Sequence, residues 1–229
     1  TIDAQSIDED SSLTLTLSAS DVDGDALTFN AVVDGNGSAT IDGSTLTVTP
    51  ALNYNGTLTV SVNVYDGEAS GSGNFTLTVN PVNDAPTLDD LADAEVDEDN
   101  TYTLELSGAD VDGDPLTFLA SVEENGSASI EGSTLSVTPA ANYNGDLTIN
   151  VIASDGQASG SGSFTLTVNP VNDAPVLSTI DAQSIDEDSS LTLTLSASDV
   201  DGDDLTFNAV VDGNGSATVD GSNLTVTPT

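Results

Sequence analysis

The sequence repeats itself with a period of 89 residues, and this period limits the possible folds more than any other feature. The triplet Asp8-Glu9-Asp10 recurs as Asp97-Glu98-Asp99 and again as Asp186-Glu187-Asp188. Residues 179–229 are identical to residues 1–51 at all but four positions. Such a period is too long for one coil of a solenoid and suits one small β-domain. The sequence therefore predicts three tandem domains: repeat 1 (1–84), repeat 2 (85–173) and repeat 3 (174–229).

A proline-containing linker marks each predicted boundary. The segment Pro-Val-Asn-Asp-Ala-Pro occupies residues 81–86 and returns at residues 170–175. Two prolines in six residues favour an extended backbone and interrupt a sheet. We therefore expect the repeats to be arranged as beads on a string.

Within each repeat, apolar residues alternate with polar ones. Leu13, Leu15 and Leu17 fall on one face of an extended segment, while Thr14 and Thr16 fall on the other. The same alternation covers residues 27–31, 58–64 and 75–79, and turn dipeptides such as Asp-Gly and Asn-Gly separate the runs. A period of two indicates strands with one buried face. The predicted fold is all-β: tandem Ig/cadherin-like antiparallel β-sandwich domains of about seven strands each.

Repeat 3 stops before its last two predicted strands. Half a sandwich would expose its apolar core and leave strand edges unpaired. Two explanations stay open: the sequence is cut from a longer array, or another chain completes the half-domain.

The charge of the chain excludes several classes of function. There are 39 acidic residues and no Lys, Arg, His or Cys, so the net charge at pH 7 is −39. A nucleic-acid backbone would be repelled, and zinc sites built on Cys or His are absent. No apolar run is long enough to span a bilayer, so no direct membrane insertion is expected of this segment. Carboxylate, hydroxyl and amide oxygens remain, and hard cations such as Ca²⁺ prefer these ligands.

The acids concentrate in loops. Besides the Asp-Glu-Asp triplets and the linkers, the loop Asp-Val-Asp-Gly-Asp occurs at residues 21–25, 110–114 and 199–203. This loop is not an EF-hand, because its Gly is at the fourth position and no helices flank it. With no basic residue available, clustered carboxylates need either solvent exposure and salt or a bound cation.

These motifs in this order resemble the cadherin-like tandem repeat of long bacterial surface adhesins, of the repeats-in-toxin adhesin type. The resemblance covers the whole chain and implies Ca²⁺ bound at each interdomain boundary. It implies one ligand set of Glu9, Asn83, Asp84, Asp110, Asp112 and Asp155, and a second of Glu98, Asn172, Asp173, Asp199 and Asp201. Asp21, Asp23 and Asp66 would face a preceding repeat. Asp8, Asp10 and their equivalents, such as Asp97 and Asp99, either support these sites or are plain surface acids.

The expected function is therefore structural. The chain would be a stalk segment of a secreted cell-surface adhesin in biofilm-type adhesion, stiffened by Ca²⁺, with extracellular location and no enzymatic activity. Its partners would be neighbouring repeats of the same chain and, as an open alternative, other copies of the chain. Three rival readings stay open: a Ca²⁺-dependent glycan- or protein-binding module, a repeat subunit of an extracellular filament or sheath, and an acidic surface adapted to high salt.

Overall fold

A computed structural model describes residues 2–229. It contains strands, turns and no helix within that range. The described residues also contain no helix that is long and apolar enough to cross a membrane. The predicted all-β class is confirmed.

Repeat 1 contains the seven strands expected from its sequence pattern. They are β1 (Gln5–Asp8), β2 (Leu13–Thr16), β3 (Thr28–Asp34), β4 (Gly37–Asp42), β5 (Thr45–Pro50), β6 (Gly56–Tyr65) and β7 (Ser70–Asn80). One sheet has the order β1-β7-β6-β3 and the other has the order β2-β5-β4. Alternate residues of these strands are buried, which gives the two sheets one shared core. Its fully buried side chains include Leu46, Val48, Leu58, Val60 and Leu77.

The strand pairing differs from the prediction in one respect. The sandwich was expected to be antiparallel, but β1 pairs in parallel with β7, and Gln5 lies opposite Leu77 while Asp8 lies opposite Asn80. β1 lies at the edge of this sheet, next to β7. This pairing brings the Asp8-Glu9-Asp10 triplet to the end of β7, where the linker begins.

Repeat 2 has the same arrangement with two additional short strands. Its strands are β8 (Thr87–Leu88), β9 (Ala94–Asp97), β10 (Tyr102–Glu105), β11 (Gly108–Ala109), β12 (Thr117–Val122), β13 (Gly126–Glu131), β14 (Thr134–Pro139), β15 (Gly145–Ser154) and β16 (Ser159–Asn169). The sheet orders are β12-β15-β16-β9, β10-β14-β13 and β11-β8. Leu135, Val137, Ile149, Val151 and Leu166 are fully buried and are equivalent to the core residues of repeat 1.

Repeat 3 forms only part of this fold. Its strands are β17 (Val176–Leu177), β18 (Leu191–Thr194), β19 (Ala197–Ser198), β20 (Gly215–Asp220) and β21 (Asn223–Pro228). They pair as β18-β21-β20 and β17-β19. Within residues 174–229, Leu195 is the one buried hydrophobic side chain. Leu224, the equivalent of buried Leu46 and Leu135, is half-buried.

By contacts, the chain divides into two compact units. One comprises the residues up to Asp89 together with Ser107–Thr117 and Ile152–Ser161. The other comprises Asp90–Leu106, Phe118–Val151 and Gly162–Thr229. The first unit thus contains repeat 1, the first linker and two loops of repeat 2. The predicted domain boundaries at residues 84 and 173 stay predictions.

Candidate metal site

The first predicted ligand set lies wholly within the first compact unit, and its base is Glu9. The parallel pairing of β1 with β7 continues one residue further, because the Glu9 N–H donates to Asn80 O at 2.9 Å. The Glu9 side chain is only 4% exposed. Its Oε1 accepts the backbone N–H of Val82 at 2.6 Å. Glu9 therefore ties the start of the linker to the end of the first strand.

The loop at residues 110–114 presents two carboxylates to the linker. Asp110 Oδ1 accepts the N–H groups of Asp112 at 2.9 Å and Asp114 at 3.2 Å, and Gly113 has a φ of +81° that favours glycine. Asp112 Oδ2 accepts the N–H of Asp84 at 2.8 Å. The loop of repeat 2 is thereby attached to the linker.

Asp155 contacts the same linker from a different loop. Its Oδ1 accepts the N–H groups of Gln157 and Ala158, both at 2.6 Å. Its Oδ2 accepts Nδ2 of Asn83 at 2.8 Å. Gln157 Nε2 in turn donates to Asn83 Oδ1 at 2.8 Å. Four segments distant in sequence, the end of the first strand, the linker and two loops of repeat 2, therefore meet within one unit.

Two carboxylate oxygens in this set are buried and have no hydrogen-bond partner. They are Oδ2 of Asp84 and Oδ2 of Asp110. A buried unpartnered carboxylate oxygen is costly, and no basic side chain exists in this chain to neutralise it. Burial, followed by repulsion from Asp10, Asp112, Glu9 and Asp110, raises the pKa of Asp84 above its ordinary value. By contrast, the N–H of Ala158 and then the Asn83 amide lower the pKa of Asp155.

The second ligand set repeats this geometry within the second unit. Glu98 is 3% exposed, and its Oε1 accepts the N–H of Val171 at 2.6 Å. Asp201 Oδ2 accepts the N–H of Asp173 at 2.6 Å, and Asp199 Oδ1 accepts the N–H of Asp201. Oδ2 of Asp173 is buried without a partner, and burial followed by the charge of Asp201 raises the pKa of Asp173. Asn172 donates its Nδ2 to Asp173 O at 2.7 Å.

The third predicted set forms two separate loops. Asp21 Oδ1 accepts the N–H groups of Asp23, Gly24 and Asp25. Asp66 Oδ1 accepts those of Ala69 and Glu68, and these two bonds lower the pKa of Asp66. No hydrogen bond described for residues 2–229 joins the two loops to each other. Each loop has the same local conformation as its counterpart in the first ligand set.

The sequence reasoning left Asp10 and Asp99 undecided and did not consider Gln157. Asp10 and Asp99 have left-handed φ values of 58° and 61°. Asp10 Oδ1 accepts the N–H of Asn53 at 2.9 Å, and Asp99 Oδ1 accepts that of Asn142 at 3.0 Å. These bonds attach the segment Asn53-Tyr54-Asn55-Gly56, and its equivalent at residues 142–145, to the acidic triplets. One feature of the sequence pointed to this contact: the acidic triplet and the Asn-Tyr-Asn-Gly segment recur with the same 89-residue period.

Among residues 2–229, no three carboxylates are already grouped as a metal site. The donor chemistry nevertheless fits Ca²⁺, which takes carboxylate, amide and backbone oxygens. The buried unpartnered oxygens of Asp84, Asp110 and Asp173 are the groups that a cation would satisfy. The ligand assignment stays a prediction.

Small all-β sandwich domains in tandem, with carboxylates at each linker, define a class of Ig-like, cadherin-like repeat proteins. The chain belongs to the bacterial Ig domain family, whose family model matches residues 83–169 and 172–229. The family model of the cadherin-like domain matches residues 1–80. Domains of these families are typically non-catalytic and suggest an extracellular repeat or adhesin-type module.

Individual known proteins resemble parts of the chain. Chitinase A of Pseudoalteromonas piscicida is 31% identical over 133 residues, which is 55% of this chain and 16% of that enzyme. A structure of protocadherin gamma B2 extracellular cadherin domains 1–5 is 17% identical, with a TM-score of 0.44, and the match covers 99% of this chain and 51% of that one. An endo-fucoidan hydrolase of glycoside hydrolase family 107 is 20% identical, with a TM-score of 0.35, over 95% of this chain and 37% of that one. The chain therefore spans about a sixth of the curated relative.

Proposed function

We propose that this chain is a stalk segment of an extracellular adhesin whose repeats are stiffened by Ca²⁺ at each linker. The observation that carries this proposal is the pair of buried, unpartnered oxygens on Asp84 and Asp110, together with the same orphaned oxygen on Asp173. Acids that served only solubility would remain hydrated on the surface. Removing ionised carboxylates from water beside other carboxylates destabilises the folded chain unless a cation neutralises them.

The residues that would hold Ca²⁺ come from three parts of the chain. Glu9 supplies a buried carboxylate from repeat 1, Asn83 and Asp84 come from the linker, and Asp110, Asp112 and Asp155 come from loops of repeat 2. Bound Ca²⁺ would supply the positive charge that this chain lacks. Together these residues would then hold the linker to both repeats. Glu98, Asn172, Asp173, Asp199 and Asp201 would act in the same way at the second linker.

The expected affinity of such sites suits a protein that functions outside the cell. Extracellular modules bind Ca²⁺ with Kd values of about 10⁻⁴–10⁻³ M. Sites of that strength are mostly empty at cytosolic Ca²⁺ and fill outside the cell. The proline-containing linkers would be flexible during export and would stiffen afterwards.

Small-angle scattering of the 229-residue chain tests this proposal. The chain is measured in EDTA, in millimolar Ca²⁺ and in Mg²⁺ at matched ionic strength. We expect Ca²⁺ alone to increase the maximum dimension, and the double variant Asp84→Asn/Asp173→Asn to lose this response. The matched control is Asp42→Asn/Asp220→Asn, which changes two hairpin acids and the same total charge. Identical profiles in EDTA and Ca²⁺ would sink the proposal.

The chitinase relative favours a second candidate, a carbohydrate-binding module within a larger secreted enzyme. The supporting observation is the 31% identity over 133 residues to a protein named as a chitinase. A pull-down on insoluble chitin, with Ca²⁺ and with EDTA, separates the two candidates. A stalk segment stays in the supernatant in both conditions, whereas Ca²⁺-dependent retention would favour the binding module.

A further inference from the structure

The side-chain amide of Asn83, in the first linker, is held in one orientation by three hydrogen bonds. Its Nδ2 donates to the backbone oxygen of Asp84 and to Oδ2 of Asp155, both at 2.8 Å. Its Oδ1 accepts Nε2 of Gln157, also at 2.8 Å. All four residues belong to the first compact unit.

The hydrogen-bonding chemistry of these neighbours decides which way the amide faces. A backbone oxygen and an ionised carboxylate only accept hydrogen bonds, so the NH₂ of Asn83 must face Asp84 O and Asp155 Oδ2. Nε2 of Gln157 only donates, so the oxygen of Asn83 must face Gln157. The amide therefore directs its donor, and not its acceptor, at the carboxylate of Asp155. A cation ligand would present the opposite group.

Both carboxylate oxygens of Asp155 have partners as a result. Its Oδ1 accepts two backbone N–H groups of its own loop, and its Oδ2 accepts Asn83. Asp84 and Asp110, by contrast, each have a buried oxygen without a partner. The NH₂ of Asn83 thus supplies Asp155 with the partial positive charge that a bound cation would otherwise supply.

The side chain of Gln157 is not required for the shape of its loop. The equivalent loop of repeat 1 has Glu68 at this position, and Asp66 Oδ1 still accepts the N–H groups of Glu68 and Ala69, at 2.8 and 2.7 Å. Gln157 is exposed, and the hydrogen bond described for its side chain is the one to Asn83. The structural effect of this side chain is therefore to hold the Asn83 amide in place.

We infer that Asn83 and Gln157 form a latch over Asp155 in the metal-free chain, and that this latch sets the calcium concentration at which the first linker stiffens. The inference rests on the proposed function, because it concerns the same site. Asn83 must move its NH₂ away before Asp155 Oδ2 can accept a cation, and Gln157 opposes this movement by holding the other end of the amide. Gln157 is thus a positioning residue that acts through Asn83.

The direction of the effect on calcium affinity distinguishes a latch from the other roles of Gln157. A latch stabilises only the metal-free chain, so its removal should strengthen calcium binding. One hydrogen bond of this kind contributes enough to change the affinity about two- to tenfold. If Gln157 were a ligand through its own oxygen, its removal would weaken binding. If it supported the fold equally with and without calcium, its removal would leave the affinity unchanged.

Titration with CaCl₂ at constant ionic strength, followed by nuclear magnetic resonance of the 229-residue chain, measures the affinity at each linker separately. The backbone amide of Asp84 reports on the first linker and that of Asp173 on the second. We expect Gln157→Ala to lower the Kd measured at Asp84 about two- to tenfold and to leave the Kd at Asp173 unchanged. The matched control is Gln183→Ala, which removes an exposed glutamine that donates to the nearby Asp181 O, and it should change neither value.

Thermal melts in EDTA and in saturating CaCl₂ give a second readout. We expect Gln157→Ala to lower the melting temperature in EDTA by about 2–4 °C and to leave it unchanged in CaCl₂, where the latch is already open. An equal loss in both conditions, or a Kd at Asp84 that stays the same or rises, would overturn the latch alone. If CaCl₂ shifts neither Asp84 nor Asp173 in the unsubstituted chain, the proposed function fails and the latch fails with it.

Discussion

Glu9 and Glu187 show how the same residue acquires different roles in this chain. They occupy equivalent positions in nearly identical sequences, yet Glu9 is buried and Glu187 is exposed. The difference arises because the N–H of Val82, in the linker after β7, donates a hydrogen bond to Glu9. Residues 174–229 include no strand equivalent to β7 and no linker after it, so Glu187 has no such donor. Burial of this glutamate is therefore produced by the linker and not by its own neighbours in sequence.

Replacing Glu9 with alanine should loosen the linker. In millimolar Ca²⁺ we expect Glu9→Ala to lower the free energy of unfolding by about 1–3 kcal/mol, because the Val82 N–H loses its charged acceptor. Urea unfolding followed by circular dichroism measures the change. Glu187→Ala is the matched control and should have no effect. Equal effects of the two substitutions would contradict the role given to Glu9.

The Asp84 carboxylate should destabilise the folded chain without calcium and stabilise it when calcium is bound. Its raised pKa means that ionisation is less favourable in the folded chain, so without metal its contribution to stability falls as pH rises from its ordinary value through the raised one. We expect Asp84→Asn to raise the melting temperature at pH 7 in EDTA, and to reduce the stabilisation by Ca²⁺. Thermal melts in both conditions measure this. A variant that is less stable in EDTA would contradict the prediction.

At the scale of elements, the long hairpins β6-β7 and β15-β16 organise each complete repeat. β6 pairs with β7 along ten residues, from Gly56 opposite Val79 to Tyr65 opposite Ser70. Its inward residues form the centre of the core, and β1 is added to its edge in parallel. Repeat 3 has no such hairpin in residues 174–229, and its apolar residues are correspondingly more exposed.

The glycines of these hairpins should respond differently to a side chain. We expect Gly160→Val to destabilise the chain by about 1–3 kcal/mol, since the new Cβ would clash with Pro86 O. Gly73→Val should stay within about 0.5 kcal/mol, because no atom lies within 4 Å of its added Cβ. Chemical unfolding of the two variants compares them directly. A loss at Gly73 as large as the loss at Gly160 would contradict the prediction.

At the scale of the whole molecule, the net negative charge dominates the long-range electrostatic interactions. With 39 acids and no base, every long-range interaction between side chains is repulsive at pH 7. Salt screens this repulsion between exposed charges but acts much less on buried ones. Asp84 and Asp173 are half-buried, and each has one buried oxygen without a partner. These carboxylates should therefore need a bound cation as well as ionic strength.

Calcium should stabilise the chain beyond its contribution to ionic strength. For a site with a Kd of about 10⁻⁴–10⁻³ M, 10 mM Ca²⁺ adds about 1.4–2.7 kcal/mol. We expect the melting temperature to rise more in CaCl₂ than in KCl of equal ionic strength. Asp84→Asn/Asp173→Asn should make the two salts equivalent. Equal melting temperatures for the unsubstituted chain would mean that screening alone acts.

The amino-acid sequence by itself determined the repeat period, the all-β class, the seven strands of repeat 1 and the concentration of acids at linkers. These follow from local patterns: alternation fixes the buried face of a strand, and turn dipeptides fix where a strand ends. Only the tertiary structure decided that β1 pairs in parallel with β7, that Asp10 accepts the N–H of Asn53, and that Glu9 accepts the N–H of Val82. Each of these depends on residues tens of positions apart, and their proximity is set by the packing of the two sheets.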